Sequence, residues 1–514
     1  MTPFATATFA QQNLDHVLDP DLSFEQALQI CEFALKLDPH NLNAFTQGAF
    51  VHEKHRRLAQ AGPWLDRALR YHPNNELLLQ ARILVAGFEG QADLALAYTE
   101  RLRALNPNYD PMGYSLSNLL VSSGQPQRAV EKFRAIIEEI HRNNTLDPDD
   151  LSIFHHFGDA LLKVGNADGF LHYSNILGTP FGAYYDVPGI TWWAGHDIRG
   201  MRCLLTHQLG FGDQFLFCAI IPYLRSLGCE IVVTLDHAVH ELLGPVLGES
   251  TTHALIRPFF RAVPAPEELQ AISDAFQPDI QATLLHLPLI AKKYGLAAQD
   301  FFKPYVTVPQ ATNISMEAEL NQIRERAGNR KIVGVAWDCI QRHLADVHGD
   351  GAACHAKLRS VPTTQIKQLT DAPEIAENYY FVSLVHPSHY QYFADELPEN
   401  MDHVLHRKRT YSETASLIAI CDLVIAVDAS VANLACMQGK NTWIALHHRS
   451  EWRWGLISNT SPWLAHTRLF RQPVPWDWTS VMKQIHQALI TEAGNDAISC
   501  VVGTIEESHH ATNL

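Results

Sequence analysis

Prolines, alanines and larger apolar residues each recur every 34 positions in the first third of the chain. Pro39, Pro73 and Pro107 keep this step, and each closes a stretch of helical periodicity. A proline cannot continue a helix, so it ends one helix and sets up the next. Two further series keep the step: Ala27, Ala61, Ala95 and Ala129, and Ala34, Ala68, Leu102 and Ile136. Small residues at a fixed place let paired helices approach closely, so the pattern predicts a helical solenoid.

The repeat loses its register near Thr145. Pro148 lies 41 residues after Pro107, which indicates a seven-residue extension. A last hairpin at 151–177 is expected to cap the array, and residues 1–178 form the predicted helical domain. The concave groove of such an array binds an extended peptide or a partner helix. The alternative is an array that only packs against its neighbour or against a second copy of the chain.

After residue 200 the pattern changes to short apolar strands that alternate with helix-length segments. MRCLLTHQ, CEIVVTLD and IQATLLH are predicted strands of one lobe, with a helix at 215–227, and KIVGVAW, YYFVSLV, DLVIAVD and TWIALH are strands of a second. This alternation is typical of parallel sheets covered by helices. We predict Rossmann-like lobes at 179–312 and 313–490, a linker at 303–313 and a tail at 491–514.

Composition excludes several classes of protein. Hydrophobic residues make up 46% and charged residues 18% of the 514, which argues against disorder and coiled coils. A formal net charge of −16, without a Lys/Arg stripe, disfavours a nucleic-acid partner. Nine cysteines without framework spacing are typical of reduced thiols. No apolar run reaches the roughly 18 residues of a membrane span, and no signal-peptide pattern is seen, so we expect a cytoplasmic protein.

The first candidate for chemistry is the turn HQLGFGDQF, which lies between a predicted strand and a helix expected to begin near Gln214. Gly210 and Gly212 permit a tight turn, and the helix N-terminus offers unpaired N–H groups. Asp213, at the mouth of the interlobe cleft beside Gln214, is a candidate base for an acceptor hydroxyl or amide. Its alternative role is helix capping, for which aspartate is well suited.

The second candidate is DLVIAVDASVANLA, a buried strand that runs into a helix. Asp428, Ala429 and Ser430 lie at the junction, and a diphosphate can rest on the helix N–H groups there. The small side chains permit close approach of a nucleotide, and Asn433 lies one turn along on the same face. The alternative is that Ser430 serves only as a helix cap.

Cationic and aromatic residues supply further candidates for donor binding. HAKLRSV carries Lys357, Arg359 and Ser360. SEWRWGL carries Trp452, Arg453 and Trp454. Cations can offset the charge of a phosphate, while the alternatives are a solvated loop for the first segment and an interlobe packing seam for the second.

One segment is rich in residue types that bind metals: His343, His348, Asp350, Cys354 and His355. Their irregular spacing favours a mobile cleft loop over a metal clip. We therefore predict neither a metal nor a cofactor.

The period, the small residue early in the second helix and the closing proline resemble the tetratricopeptide repeat (TPR) family. Over about residues 185–490, the order GxGD, RS, VDxSVAxLA, WRW and RLFRQ resembles the TPR-fused relatives of heptosyltransferase-type glycosyltransferases. The architecture is also similar to O-linked N-acetylglucosamine transferases and bacterial flagellin glycosyltransferases. The resemblance implies a GT-B fold of two Rossmann-like lobes and a nucleotide-diphosphate sugar as donor substrate, bound mainly by the second lobe without a metal.

By this resemblance, Asp213 is the base or another acceptor-side residue, and Asp428, Ser430 and adjacent amides hold the donor phosphates. Trp337, which ends the strand KIVGVAW, joins the donor-binding set. The expected activity is hexosyl or heptosyl transfer to a glycan or to a protein, such as flagellin or another surface protein, presented by the array.

This chain departs from the family at several positions, and one departure is that the strand YYFVSLV ends in Val-His rather than a glutamine. Relatives usually have Thr and His in place of Ala429 and Asn433, and Gly where Asp338 follows Trp337. These departures keep a second hypothesis open, a non-catalytic TPR scaffold with a degenerate transferase domain. A nucleotide-sugar epimerase fits less well, because no GxGxxG with a trailing acidic residue is present.

Overall fold

The computed structural model of the chain describes residues 13–14, 16–19, 22–54, 58–88, 91–106, 120, 125–143, 150–178, 185–208, 210–256, 263–339, 359–392, 397–403, 410–448, 450–456, 458–474 and 476–493. The chain divides into two compact units, residues 1–145 and 146–514.

The first unit is an array of helices with the predicted period. Its described helices are α1 (Phe24–Leu37), α2 (Leu42–Lys54), α3 (Leu58–Tyr71), α4 (Glu76–Phe88), α5 (Ala92–Leu105) and α6 (Pro126–Asn143). The first residues of α1, α3, α5 and α6 are spaced at 34-residue intervals, which confirms the TPR-type repeat. Ser23 and Gln26 form a capping box at the start of α1, since each side chain accepts the backbone N–H of the other residue.

The small residues of the repeat lie where the helices meet. Ala27, Ala61, Ala95 and Ala129 are all buried, as the sequence series predicts. In the second series, however, Ile136 is only half-buried and the adjacent Ile137 is the buried residue. At the second position of α6 the buried residue therefore lies one place after the predicted one, while Ala129 keeps its predicted place.

Gly48 in α2 lies directly against the indole of Trp64. A Cβ atom at Gly48 would lie 2.1 Å from Cζ2 of Trp64, whose Nε1–H donates to the carbonyl of Phe45 at 2.8 Å. Gly48→Ala should lower the free energy of unfolding of the array by about 1–3 kcal/mol, because a buried, hydrogen-bonded ring must move. Urea unfolding followed by circular dichroism measures the change. Adding Trp64→Leu should relieve the clash, and an unchanged midpoint in the single variant would contradict this packing.

The second unit begins with the helical hairpin that the sequence predicts as a cap. It consists of α7 (Asp150–Lys163), α8 (Gly169–Tyr173) and a 3₁₀ turn (Ser174–Gly178). Phe170 shares one hydrophobic core with the two lobes, and Trp463 Nε1 donates to the carbonyl of Leu162 at 3.1 Å. The structure thus places this hairpin in the compact unit of the lobes, although the predicted boundary assigned it to the array.

The first lobe contains a parallel five-stranded sheet. Its described strands are β1 (Tyr185–Asp186), β2 (Thr191–Trp192), β3 (Arg202–Thr206), β4 (Glu230–Leu235), β5 (Thr252–Ala254), β6 (Val263–Pro264) and β7 (Ile280–Thr283). The sheet order is β2-β7-β3-β4-β5, and β1 pairs with β6 separately. Its helices are α9 (Phe211–Phe217), α10 (Ile221–Ser226), α11 (His237–Leu247), α12 (Glu267–Phe276) and α13 (Leu287–Lys293). The helix predicted at 215–227 begins four residues earlier and is divided by a 3₁₀ turn, Cys218–Ile220.

The second lobe contains a parallel six-stranded sheet. Its strands are β8 (Lys331–Ala336), β9 (Tyr379–Ser383), β10 (Met401–Asp402), β11 (Leu423–Val427), β12 (Thr442–Leu446) and β13 (Thr467–Arg471). The order β10-β9-β8-β11-β12-β13 is that of a doubly wound sheet, which places its switch point between β8 and β11. β13 was not among the strands predicted from the sequence; it pairs in parallel with β12, and Thr467, Leu469 and Phe470 are buried.

Helices cover the second sheet, and an extended segment joins the lobes. The helices are α14 (Gln310–Ala327), α15 (Thr363–Thr370), α16 (Pro373–Ala376), α17 (Tyr411–Ile420) and α18 (Ser430–Met437), followed by a helix at 478–493. The predicted linker is extended only to Pro309, and the N–H groups of Tyr305 and Val306 donate to the carbonyl of Met437.

These elements confirm the predicted fold. The chain joins a TPR-type helical array to two Rossmann-like lobes of the GT-B type. Among the described residues, no helix combines the length and the apolar character that crossing a membrane requires.

Candidate active site between the lobes

Two helix N-termini, one from each lobe, meet at the carboxyl ends of the sheets. α9 follows β3 of the first sheet, and α18 follows β11 of the second. A Cβ atom at Gly212 would lie 2.6 Å from Nδ2 of Asn433 and 3.4 Å from Cα of Ser430. A side chain at position 212 would therefore displace the buried amide of Asn433, while the backbone of α18 at Ser430 already lies at contact distance.

Asp213 lies in the first turn of α9 rather than ahead of the helix. Its Oδ2 accepts the backbone N–H of Gly210 at 3.1 Å, which is the capping role considered from the sequence. Its Oδ1 accepts from Nη2 of Arg453 at 2.6 Å. One carboxylate therefore caps a helix of the first lobe and forms an ion pair with the second.

The environment of this ion pair shifts the pKa values of both partners. Burial raises the pKa of Asp213, and the Arg453 guanidinium opposes that rise. For Arg453, burial lowers the pKa, but the carboxylates of Asp213, Asp428 and Glu451 outweigh it and raise the pKa overall. Arg453 is thus a permanent cation inside the cleft, held among three carboxylates.

Several buried polar atoms around Arg453 have no hydrogen-bond partner among the described residues. They are Oδ2 of Asp428, Nε of Arg359, Nε of Arg453 and Oδ1 of Asn433. The Nη1 of Arg359 donates to the backbone carbonyl of Asp428 at 3.0 Å, so these groups belong to one cluster. Buried polar atoms normally have partners, and a cluster without them is typical of a site that binds a polar ligand.

The N-terminus of α18 has no side-chain cap. Ala429 occupies the N-cap position in an extended conformation, and Ser430 is the first helical residue rather than the cap considered from the sequence. Ser430 Oγ bonds instead with the hydroxyl of Tyr411 at 2.7 Å, and Asn433 Nδ2 donates to the Ala429 carbonyl at 3.2 Å. The alanine leaves first-turn N–H groups for a ligand, as at other anion sites.

The tryptophans of the predicted donor site lie in the hydrophobic cores. Trp452 and Trp454 are fully buried, and Trp452 contacts the rings of Phe170 and Trp463. Trp337 is also buried, and its Nε1 donates to Oγ1 of Thr363 at 3.1 Å. The structure thus supports the packing alternative for Trp452, and of the WRW motif Arg453 is the residue that contacts Asp213.

Gln214 makes its side-chain contacts within the first lobe. Gln214 is buried and exchanges two hydrogen bonds with Asp236, at 2.7 and 3.0 Å, which tie α9 to the end of β4. Lys357 lies outside the described residues, as do the candidate metal ligands: His343, His348, Asp350, Cys354 and His355. Within the described ranges, no three His, Cys, Asp or Glu side chains converge as a metal site needs.

Some site residues were not singled out from the sequence. Arg471, at the end of β13, donates from Nη1 to Ser450 Oγ at 2.6 Å and from Nη2 to the carbonyl of Trp454 at 2.5 Å, which braces the turn that carries Arg453. His389 follows β9 and lies 3.0 Å from Asp338, measured from Nδ1 to Oδ2. Their position after strand ends is the signal that could have identified them.

Comparison with known proteins gives distant likenesses. No family model matches the chain. Protein FlbA from Caulobacter vibrioides (strain ATCC 19089 / CIP 103742 / CB 15) is 24% identical over 327 residues, which cover 59% of this chain and 49% of FlbA. The chain therefore spans about half the length of the curated relative that it matches.

Comparison with solved structures also gives only distant likenesses. A glycosyl transferase family 9 protein from Veillonella parvula DSM 2008 has 10% identity and a TM-score of 0.43, over 58% of this chain and 99% of its own. YrrB, described as a TPR protein with an unusual peptide-binding site, has 25% identity and a TM-score of 0.25, over 30% of this chain and 74% of its own. At such scores, the fold assignment rests on the helical period and the strand orders of the two sheets.

Proposed function

We propose that the chain is a glycosyltransferase that moves a hexose- or heptose-type sugar from a nucleotide-diphosphate sugar to a protein or glycan acceptor. The observation that carries the proposal is the ion pair between Asp213 and Arg453, which joins the two lobes beside the unpaired polar atoms of Asp428 and Arg359. In open parallel sheets, ligands bind beyond the carboxyl ends of the strands at the switch point, where this cluster lies.

The donor diphosphate is assigned to the second lobe. The guanidinium groups of Arg359 and Arg453 and the uncapped N-terminus of α18 supply positive charge and N–H donors. These groups would stabilise the nucleoside diphosphate as it leaves, because charge develops on its oxygens in the transition state. The buried Oδ2 of Asp428 would accept a hydroxyl of the donor.

The acceptor side is assigned to Asp213. A general base works best when its pKa lies near the working pH, and burial moves the pKa of Asp213 in that direction. A bound diphosphate would compete with Asp213 for Arg453 and so release Oδ1 to take the proton from the acceptor. The TPR-type array offers an extended surface on which a protein acceptor can be held.

A second candidate function is a non-catalytic scaffold. It is favoured by the fact that both carboxylate oxygens of Asp213 already have partners, Gly210 and Arg453, and that Asn433 fills the space over Gly212. In that case the cluster would only hold the two lobes together. Measured sugar transfer excludes this candidate.

A thermal-shift screen across UDP-, GDP-, ADP-, CDP- and dTDP-sugars tests donor binding. A donor at one hundred times its Kd should stabilise the folded protein by about 2.7 kcal/mol, seen as a rise in Tm. The Arg359→Gln variant should lose most of that rise, while Arg468→Gln, which changes an exposed arginine of β13, should keep it. A chain that responds to none of these donors would favour the scaffold.

A further inference from the structure

A groove open to solvent lies between the cap hairpin, residues 150–178, and the first lobe. Its volume is about 620 Å³, within the roughly 300–1,000 Å³ of sites that bind small molecules. The hairpin forms one wall, and the segments that follow β2 and β7 form the other. Among the residues that line it are Leu171, Ser174, Asn175, Trp193, His286 and Leu289.

Two polar side chains of the hairpin wall have acceptor atoms available. Nδ2 of Asn175 donates to the backbone carbonyls of Leu171 and His172, at 3.5 and 3.0 Å. A carbonyl can only accept, so these contacts fix the amide nitrogen against the hairpin, and no described residue donates to Oδ1 of Asn175. The hydroxyl of Ser174 donates to the carbonyl of Leu171 at 3.1 Å, which leaves the lone pairs of Oγ as acceptors.

His286, on the opposite wall, supplies a donor. Its Nδ1 accepts the backbone N–H of Thr283 at 3.1 Å, so the neutral ring carries its proton on Nε2. Burial lowers the pKa of His286 to about 4, and the ring is therefore neutral at neutral pH. Within the described ranges, Nε2 has no hydrogen-bond partner.

Trp193 provides an aromatic surface beside this donor. Its ring lies 5.9 Å from that of His286, measured between centroids, at an interplanar angle of 67°. Its Nε1–H donates to the carbonyl of His196 at 3.2 Å, which holds the indole in place. The two rings thus form a corner of the groove with little freedom to rearrange.

The charge of the lining restricts the ligand. No Asp, Glu, Lys or Arg is among the described residues that line the groove. A phosphate or carboxylate would find no cation there, and the net charge of −16 disfavours an anion further. The groove differs in this respect from the donor cluster, to which Arg359 and Arg453 bring positive charge. We therefore expect a neutral ligand.

The polar groups narrow the choice among neutral ligands. An apolar peptide side chain would cover Asn175, Ser174 and His286 and leave two acceptors and a donor without partners, which weakens binding. A hydroxyl group both donates and accepts, so a ligand with several hydroxyls can pair with all three residues. A pyranose ring carries hydroxyls around its edge and C–H groups on its faces, and such a face packs well on the indole of Trp193.

From this combination we infer that the groove binds a neutral saccharide. β7 is adjacent to β3, whose following helix carries Asp213, so the groove lies at the same edge of the first sheet as the candidate base. The cap hairpin lies outside residues 185–490, over which the chain resembles heptosyltransferase-type enzymes, so one wall of the groove is not part of that resemblance. The inference goes beyond the proposed function, because saccharide binding in the groove requires neither the donor cluster nor sugar transfer.

Saturation-transfer difference NMR of the full chain tests the inference, with the neutral trisaccharides maltotriose, cellotriose, mannotriose and N,N′,N″-triacetylchitotriose as probes. We expect saturation transfer to at least one of them. Leu171→Trp, which fills the groove from a side chain that is 59% exposed, should weaken its binding about tenfold or more. Trp193→Ala, which removes the indole, should do the same. The matched control is Ile256→Trp at another exposed position of the first lobe, which should bind as the wild type does.

Three outcomes overturn the inference. Saturation transfer to none of the four saccharides would exclude the site. Wild-type affinity in Leu171→Trp and Trp193→Ala would place the saccharide elsewhere on the chain. Binding of N-acetyl-leucine amide that is lost in Leu171→Trp, without binding of any saccharide, would assign the groove to an apolar peptide side chain. No nucleotide is present in these titrations, so each result leaves the proposed function unaffected.

Discussion

Asp213→Asn is expected to lower the turnover number of sugar transfer by about 10²–10⁴-fold while donor binding stays nearly unchanged. The amide keeps the size of the side chain, and its single oxygen can accept one of the two donors that Asp213 binds, the N–H of Gly210 or the guanidinium of Arg453. It cannot accept a proton from the acceptor. Transfer of labelled sugar gives the rate, and calorimetric titration with the donor gives the affinity.

The pH profile gives an independent check of this role. A base is active only when deprotonated, so activity falls as the pH drops through its pKa. Because burial raises the pKa of Asp213, the wild-type rate should begin to fall at a higher pH than the roughly 3.9 of an ordinary aspartate implies. The residual rate of Asp213→Asn should not show this fall at low pH.

The control for this variant is Asp274→Asn, which changes an exposed aspartate of the same lobe. It should transfer sugar at the wild-type rate. A wild-type rate in Asp213→Asn would show that another group accepts the proton, and a wild-type chain without activity on any donor would support the scaffold.

Arg453→Gln is expected to destabilise the second unit by about 3–5 kcal/mol, because it leaves buried carboxylates without their cation. Asp213 and Arg453 have side-chain exposures of only 16% and 9%, so water does little to compensate. Urea unfolding monitored by tryptophan fluorescence measures the loss. Donor binding should fall as well, since the same guanidinium is assigned to the diphosphate.

A double-mutant cycle separates the ion pair from the general effect of the substitution. Asp213→Asn combined with Arg453→Gln removes both charges and should recover part of the stability lost in the single Arg453→Gln variant. The comparison is Arg199→Gln, which breaks an exposed pair with Asp197 and should cost much less stability, because water solvates the exposed charge that remains. Similar losses at the two arginines would contradict the buried character of the Asp213–Arg453 pair.

Much of the fold follows from local periodicity. The step of 34 residues located the repeated helices because the residues that set it contact the neighbouring helix of the same or the next hairpin. Apolar runs located most of the longer strands, since buried parallel strands are continuously apolar. The short strands β1, β2, β5, β6 and β10 and the charged strand β13 were missed, because none of them has such a run.

The candidate site was only partly predictable. Strand ends identified Asp213 and Asp428 as polar residues at places where ligands bind, and Arg359 was identified as a cation able to offset the charge of a phosphate. The sequence also placed Trp452 and Trp337 in this site, because aromatic residues in a motif look the same whether they line a cleft or fill a core. His389 was missed, since a histidine in the segment HPSHY has no distinctive spacing.

By itself, the sequence determined the helical array, the two parallel-sheet lobes and the positions at which chemistry was to be expected, because short-range patterns of burial specify these features. The tertiary structure decided three other features. Asp213 pairs with Arg453, 240 residues away, and Gly212 packs against Ser430 and Asn433. The last hairpin shares the hydrophobic core of the lobes. Such contacts arise only when distant segments fold together, and no periodicity along the chain encodes them.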